Sequence, residues 1–94
     1  MIAVRQAKYL AEYRLWIQFN TGEAGEVDLA DLIHRYPAAK AIRDPQEFAK
    51  FYLDEWPTIA WSCGFDLSPE ALYERATGKT FEYVTVSRSI SAAA

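Results

Sequence analysis

The chain has 94 residues, 51% of them hydrophobic and 24% charged, which is the size and balance of one globular domain. Its net charge of −3 argues against a nucleic-acid footprint spread over the whole domain. Its single cysteine, Cys63, excludes an internal disulfide.

A lone cysteine fits a reducing compartment, so a cytoplasmic location is expected. There is no apolar run approaching the ~18–20 residues of a membrane span and no signal-peptide core, so no membrane partner is expected. Met1–Tyr9 reads as an extended stretch carrying Ile2, Val4 and Tyr9. In Tyr13–Phe19, Leu15, Ile17 and Phe19 fall on one face and Arg14, Trp16 and Gln18 on the other. That period-two alternation marks a half-buried antiparallel strand. Asn20-Thr21-Gly22 supplies a turn, and Ala24–Asp28 returns to complete a three-stranded meander.

Asp28 is placed to cap a helical turn that starts at Leu29, carries Leu29, Leu32 and Ile33 inward and stops before Pro37. Asp31 lies near the positive end of its dipole. Asp44-Pro45-Gln46-Glu47 offers an N-cap, a proline at N1 and a capping-box acid at N3, opening a short helix with Phe48 and Phe51 toward the core. Phe51–Asp54 and Thr58–Trp61 read as two further strands around Glu55-Trp56-Pro57. After Gly64, Ser68-Pro69-Glu70 opens a helix that ends at Gly78. Phe81–Val86 has strand propensity, and Ser87–Ala94 is a polar and alanine tail expected to fray. The expected organisation is one domain over 1–78 with a C-terminal extension over 79–94. Its fold class is α+β: a mostly antiparallel sheet of four to six short strands, beginning as a meander, with two or three short helices on one side.

Leu15-x-Ile17-x-Phe19, Gly22, Val27-Asp28-Leu29, Leu32-Ile33 and Phe48 precede a denser block, Ile59-x-Trp61-x-x-Gly64-x-Asp66-Leu67-x-Pro69-Glu70-x-Leu72-Tyr73. Together they resemble the bacterial family known as domain of unknown function 2442, over about residues 2–75. The Trp61–Tyr73 block is the most specific part, and Ser62 stands where the family usually has proline. The resemblance implies a small α+β domain, in some members followed by a helix-turn-helix DNA-binding domain. It also implies, for many members, a neighbouring gene of another uncharacterised family (domain of unknown function 4160), in pairs that look like toxin–antitoxin modules. This chain leaves no room for a helix-turn-helix domain after residue 76, so it is similar to the stand-alone members. The family carries over no catalytic residues.

Each candidate site has a structural explanation beside the chemical one. Asp66 and Glu70 could act as an acid and base pair. Gly64 as a bend, Asp66 bonding turn N–H groups, Ser68 as cap, Pro69 at N1 and Glu70 on the dipole account for the same block, with Trp61 in the core. Asp28 and Asp31 lack a third ligand, so capping is preferred to metal binding, and no metal or cofactor is expected. A Cys63/His34 dyad has no orienting partner in the sequence, and a small residue suits packing between a strand and a glycine turn. Arg5, Lys8 and Arg14 could share one side of the hairpin with Tyr9 and Trp16 and grip single-stranded nucleic acid. The net charge favours a solvated face instead, and no direct nucleic-acid contact is expected.

Aromatic residues make up 15% of the chain, more than so small a core hides. Trp16, Tyr52, Trp56 and Tyr83 are the candidates for exposure, and Trp and Tyr dominate interface hot spots. The expected function is therefore non-enzymatic. The chain is read as a protein–protein interaction domain, antitoxin-like, whose acids steer a basic partner to the surface of Asp28, Asp31, Tyr52, Asp54, Glu55 and Trp56. The alternatives are a self-associating module that uses Val84–Val86, giving a homodimer, or a small-ligand or enzymatic site near Cys63, Asp66 and His34.

Overall fold

In the computed structural model, which describes residues 1–55 and 57–79, β1 (Val4–Ala11), β2 (Arg14–Phe19) and β3 (Ala24–Asp28) come first. Then follow α1 (Ala30–Arg35), a 3-10 helix (Pro37–Ile42), α2 (Pro45–Phe48), β4 (Tyr52–Leu53), β5 (Ile59–Ala60) and α3 (Pro69–Thr77). Trp56, the expected Phe81–Val86 strand and the tail lie outside the described residues. This is a small α+β fold, with antiparallel strands divided between a sheet ordered β1-β2-β3 and a β4-β5 pair.

Alternation in β2 sets the layers. Leu15, Ile17 and Phe19 are fully buried, while Arg14, Trp16 and Gln18 reach the opposite face. Onto the inner face close Ile33 of α1, Ile42, Phe48 of α2, Ile59 of β5, Trp61 and Leu72 and Tyr73 of α3. Burying a Leu, Ile or Phe side chain contributes about 1.5–3 kcal/mol, so Leu15, Ile17 and Phe19 anchor the meander. Trp61 also donates its indole N–H to the Phe48 carbonyl at 2.8 Å, tying the turn after β5 to the end of α2.

Several local expectations differ from the structure. The first strand runs four to eleven rather than from Met1 to Tyr9, and a tight turn at Glu12-Tyr13, with Glu12 at φ 49°, leads into β2. Leu29, not Asp28, occupies the N-cap of α1; the Asp28 carboxylate instead accepts from the Ala30 N–H at 3.0 Å, one residue too early for a cap. Asp44 caps α2 as expected, but Glu47 turns forward to Lys50 at 3.1 Å instead of closing the capping box. A four-residue helix places that lysine within reach. Leu32 is half-buried. The 3-10 helix carries no amphipathic repeat that would announce it; only Ala39 and Ile42 are buried. Ser68 caps α3 by accepting from the Ala71 N–H at 3.1 Å, and Gly78 ends the helix at φ 76°.

Candidate interaction surface

The outer face of the β1-β2-β3 sheet presents the side chains that alternation keeps from the core. Its charge is polarised across the strands. β1 contains Arg5 and Lys8 and no acid, whereas β3 contains Glu26 and Asp28 and no base. Arg14 on β2 stands between them, 3.9 Å from Glu26. The Lys8 ammonium lies 5.6 Å from the centre of the Trp16 ring, and the Gln6 amide donates to Gln18 at 2.6 Å. Among the described residues neither Arg5 nor Lys8 has a carboxylate partner.

The two margins of this sheet differ. At β3, α3 packs so closely that a Cβ on Gly25 would overlap the Ala76 carbonyl oxygen and sit 3.1 Å from its carbon. At β1, the Val4 N–H meets the Pro57 carbonyl at 2.9 Å. From Arg5 to Ala11, no described element except β2 makes a backbone hydrogen bond to the strand. Among the described residues β1 is therefore an edge strand, its outer polar groups from Arg5 to Ala11 without a backbone partner.

Segment 48–57 meets β1 at both ends: the Phe48 ring lies 6.2 Å from Tyr9, and Pro57 bonds to Val4. Exposed apolar residues collect on these two elements. Tyr9 and Leu10 of β1 are 38% and 41% exposed, Tyr52 and Leu53 of β4 47% and 40%. Tyr9 turns toward Phe48 while Trp16 turns toward Lys8, so the two rings occupy opposite faces, not one side of the hairpin. One residue of strand parity separates them.

The acids singled out from sequence fall into two groups. Asp28 sits opposite Arg14, at the turn end of the sheet. Asp31 is gripped there by Arg75 through bonds of 2.9 and 2.6 Å, and Arg75 also donates to the Asp28 carbonyl at 3.0 Å. That guanidinium holds the Asp31 carboxyl below its ordinary range. The pair fastens α3 to α1. Tyr52 is in β4, and the Asp54 N–H bonds to Thr58 at 2.9 Å while its carboxylate accepts from the Glu55 N–H at 2.7 Å. This hairpin belongs to the Val4 end of the sheet. Trp56 lies outside the described residues.

One further acid is held by partners that the sequence does not mark. Glu23 accepts from the Tyr73 hydroxyl at 2.6 Å and from Lys79 at 2.7 Å. Lys79 above all, then Tyr73, lowers its pKa from 4.5 to about 2. The residues lie 50 and 56 positions apart, so no local pattern announces them.

The Trp61–Glu70 block is scaffold. Gly64, at φ 99°, lets its N–H return to the Trp61 carbonyl at 2.9 Å. Asp66 enters as backbone, bridging Ala60, rather than as a side chain bonded within the turn. Pro69 and Glu70 fill the first turn of α3.

Cys63 is exposed, contrary to a packing role, with its sulfur 3.9 Å from the Ala38 carbonyl. The turn that Gly64 permits puts it outside. His34 bonds to the Ala30 carbonyl at 2.8 Å and meets Tyr13 edge-on at 5.3 Å, so Cys63, His34 and Asp66 each have different neighbours. Among the described residues no group of three His, Cys, Asp or Glu side chains could hold a metal ion, and no helix is long and apolar enough to cross a membrane.

The fold is shared with a solved structure, that of a "Putative DNA Binding Protein" from Nitrosomonas europaea, with a TM-score of 0.76 and 26% identity. The match covers 98% of this chain and 61% of that one, so the present chain spans under two thirds of its neighbour's length. No curated protein matches. The family model of DUF2442, described as a protein of unknown function, matches residues 4–78, from the first residue of β1 to the glycine that ends α3. The chain belongs to the DUF2442 family.

Proposed function

We propose that this chain is a non-catalytic protein–protein interaction domain, working in the cytoplasm as the antitoxin-like partner of a small co-encoded protein. Its support is the β1 margin, where the backbone groups of Arg5–Ala11 that face away from β2 have no hydrogen-bond partner among the described residues, and where Tyr9 and Leu10 of β1, like Tyr52 and Leu53 of β4, are exposed. Unpaired edge groups template association, and tyrosines contribute large contact area with little ordering cost. The domain would act by occlusion, covering a partner's working surface.

The test is affinity capture of the tagged chain from nuclease-treated lysate of its own cell, followed by reconstitution of the complex from purified parts. A stoichiometric small protein that rebinds is the expected result. Bait alone on the matrix overturns the proposal. Tyr52→Ala should weaken the reconstituted complex by about tenfold or more with the fold intact, because the ring is half-exposed. Unchanged affinity removes Tyr52 from the surface.

A second reading, contact with nucleic acid, is favoured by the description of the Nitrosomonas europaea neighbour and by Lys8 and Arg14 on the face of Trp16. Glu26 and Asp28 on the same sheet and the net charge of −3 oppose it. Part of the neighbour lies outside the match. Retention of DNA by the purified chain at physiological salt, lost on Lys8→Glu, would favour this second reading.

A further inference from the structure

Resting on the interaction reading, we infer that the free edge of β1 accepts an extended acidic segment of a partner protein as an added strand. Acidic side chains of that segment stand beside Arg5 and Lys8, and apolar ones stand beside Tyr9.

Three observations specify the occupant. The backbone groups of Arg5–Ala11 that face away from β2 make no hydrogen bond to any described element, so the edge offers a ladder for main-chain pairing. Its register against β2 is continuous from Gln6 to Tyr9, with irregularities confined to either end. This middle stretch is therefore flat enough to template another strand.

Charge selects the segment. Arg5 and Lys8 have no carboxylate among the described residues, while Glu26 and Asp28 on the far strand repel acidic chains from that side. An acidic segment is drawn to β1 and away from β3. Parity then sets its pattern. A residue level with Lys8 and Trp16 lies on the outer face, and its neighbour lies on the inner face beside Tyr9. Acidic and apolar residues must alternate.

A second copy of this chain fits poorly, since pairing β1 with β1 doubles the cations at the seam and adds no acid. Nucleic acid supplies negative charge but neither the amide ladder nor the apolar side chains.

The test is selection of random displayed peptides about a dozen residues long on the folded full chain, followed by titration of the enriched sequence as a synthetic peptide. Enriched sequences should alternate Asp or Glu with apolar residues. Methylating alternate peptide amides should abolish binding, and the double variant Arg5→Glu, Lys8→Glu should weaken it by about tenfold or more. Both side chains are exposed, and thermal melting of the variant confirms that it folds.

Enrichment without an acidic bias, or affinity unchanged in the double variant, overturns the edge assignment and leaves the interaction reading standing. Failure to enrich any peptide also overturns it. The interaction reading itself falls only if capture from lysate returns bait alone. Single-stranded oligonucleotide binding that the double variant abolishes, in place of peptide binding, overturns it in favour of nucleic acid.

Discussion

Replacing Gly25 with alanine should be among the more damaging small changes in this molecule. Gly25 lies in β3 opposite Ile17, and the last turn of α3 crosses it. An added Cβ would overlap the Ala76 carbonyl oxygen and stand 3.1 Å from the carbonyl carbon, where relaxed carbon contacts lie at about 3.5–4.0 Å. The atoms in the way are helix backbone, which cannot swing aside as a side chain would. α3 must retreat from β3, drawing Leu72 and Tyr73 from the core. Forcing a methyl group into packed structure costs about 1–3 kcal/mol. At ~4–8 °C per kcal/mol for a domain of this size, a cost near 2 kcal/mol lowers Tm by roughly 8–16 °C. Circular dichroism melting of Gly25→Ala beside the parent chain measures it. A Tm within a degree or two of the parent would refute the close approach of α3 and β3.

The remaining predictions concern single contacts. Because Lys79 and Tyr73 hold the Glu23 carboxyl at about 2 in the folded chain, below its ordinary 4.5, its stabilisation is present above 4.5 and lost as pH falls toward 2. Melting curves at steps across that interval should fall more steeply for the parent than for Glu23→Gln, and parallel curves would contradict the clamp. Ser68→Ala removes the cap of α3 and should cost about 1 kcal/mol by denaturant unfolding, with Ser68→Asp retaining most of it. Trp61→Phe leaves the Phe48 carbonyl without its indole donor and should cost at least ~1–3 kcal/mol; a value near zero would show that the bond contributes nothing.

What could be read from sequence was what short-range physics determines. Leu15, Ile17 and Phe19 announced β2 by parity, and Ser68-Pro69 with Gly78 bounded α3 by capping chemistry. Residues dependent on distant partners were not legible. Nothing near Glu23 pointed to Tyr73 and Lys79. Cys63 resembled a packing residue because the exposure of a turn depends on where its strands dock. The charge contrast between β1 and β3 was present in the letters, but it acquired meaning once both were edges of one sheet, with α3 against β3.

Amide hydrogen exchange of the full chain, free and bound to the partner that capture supplies, tests the β1 edge most directly. Protection gained in the complex across Arg5–Leu10, with little change in β3, is the predicted result. Protection confined to α3 or β3, with β1 exchanging as in the free chain, would contradict the claim that β1 is the binding edge.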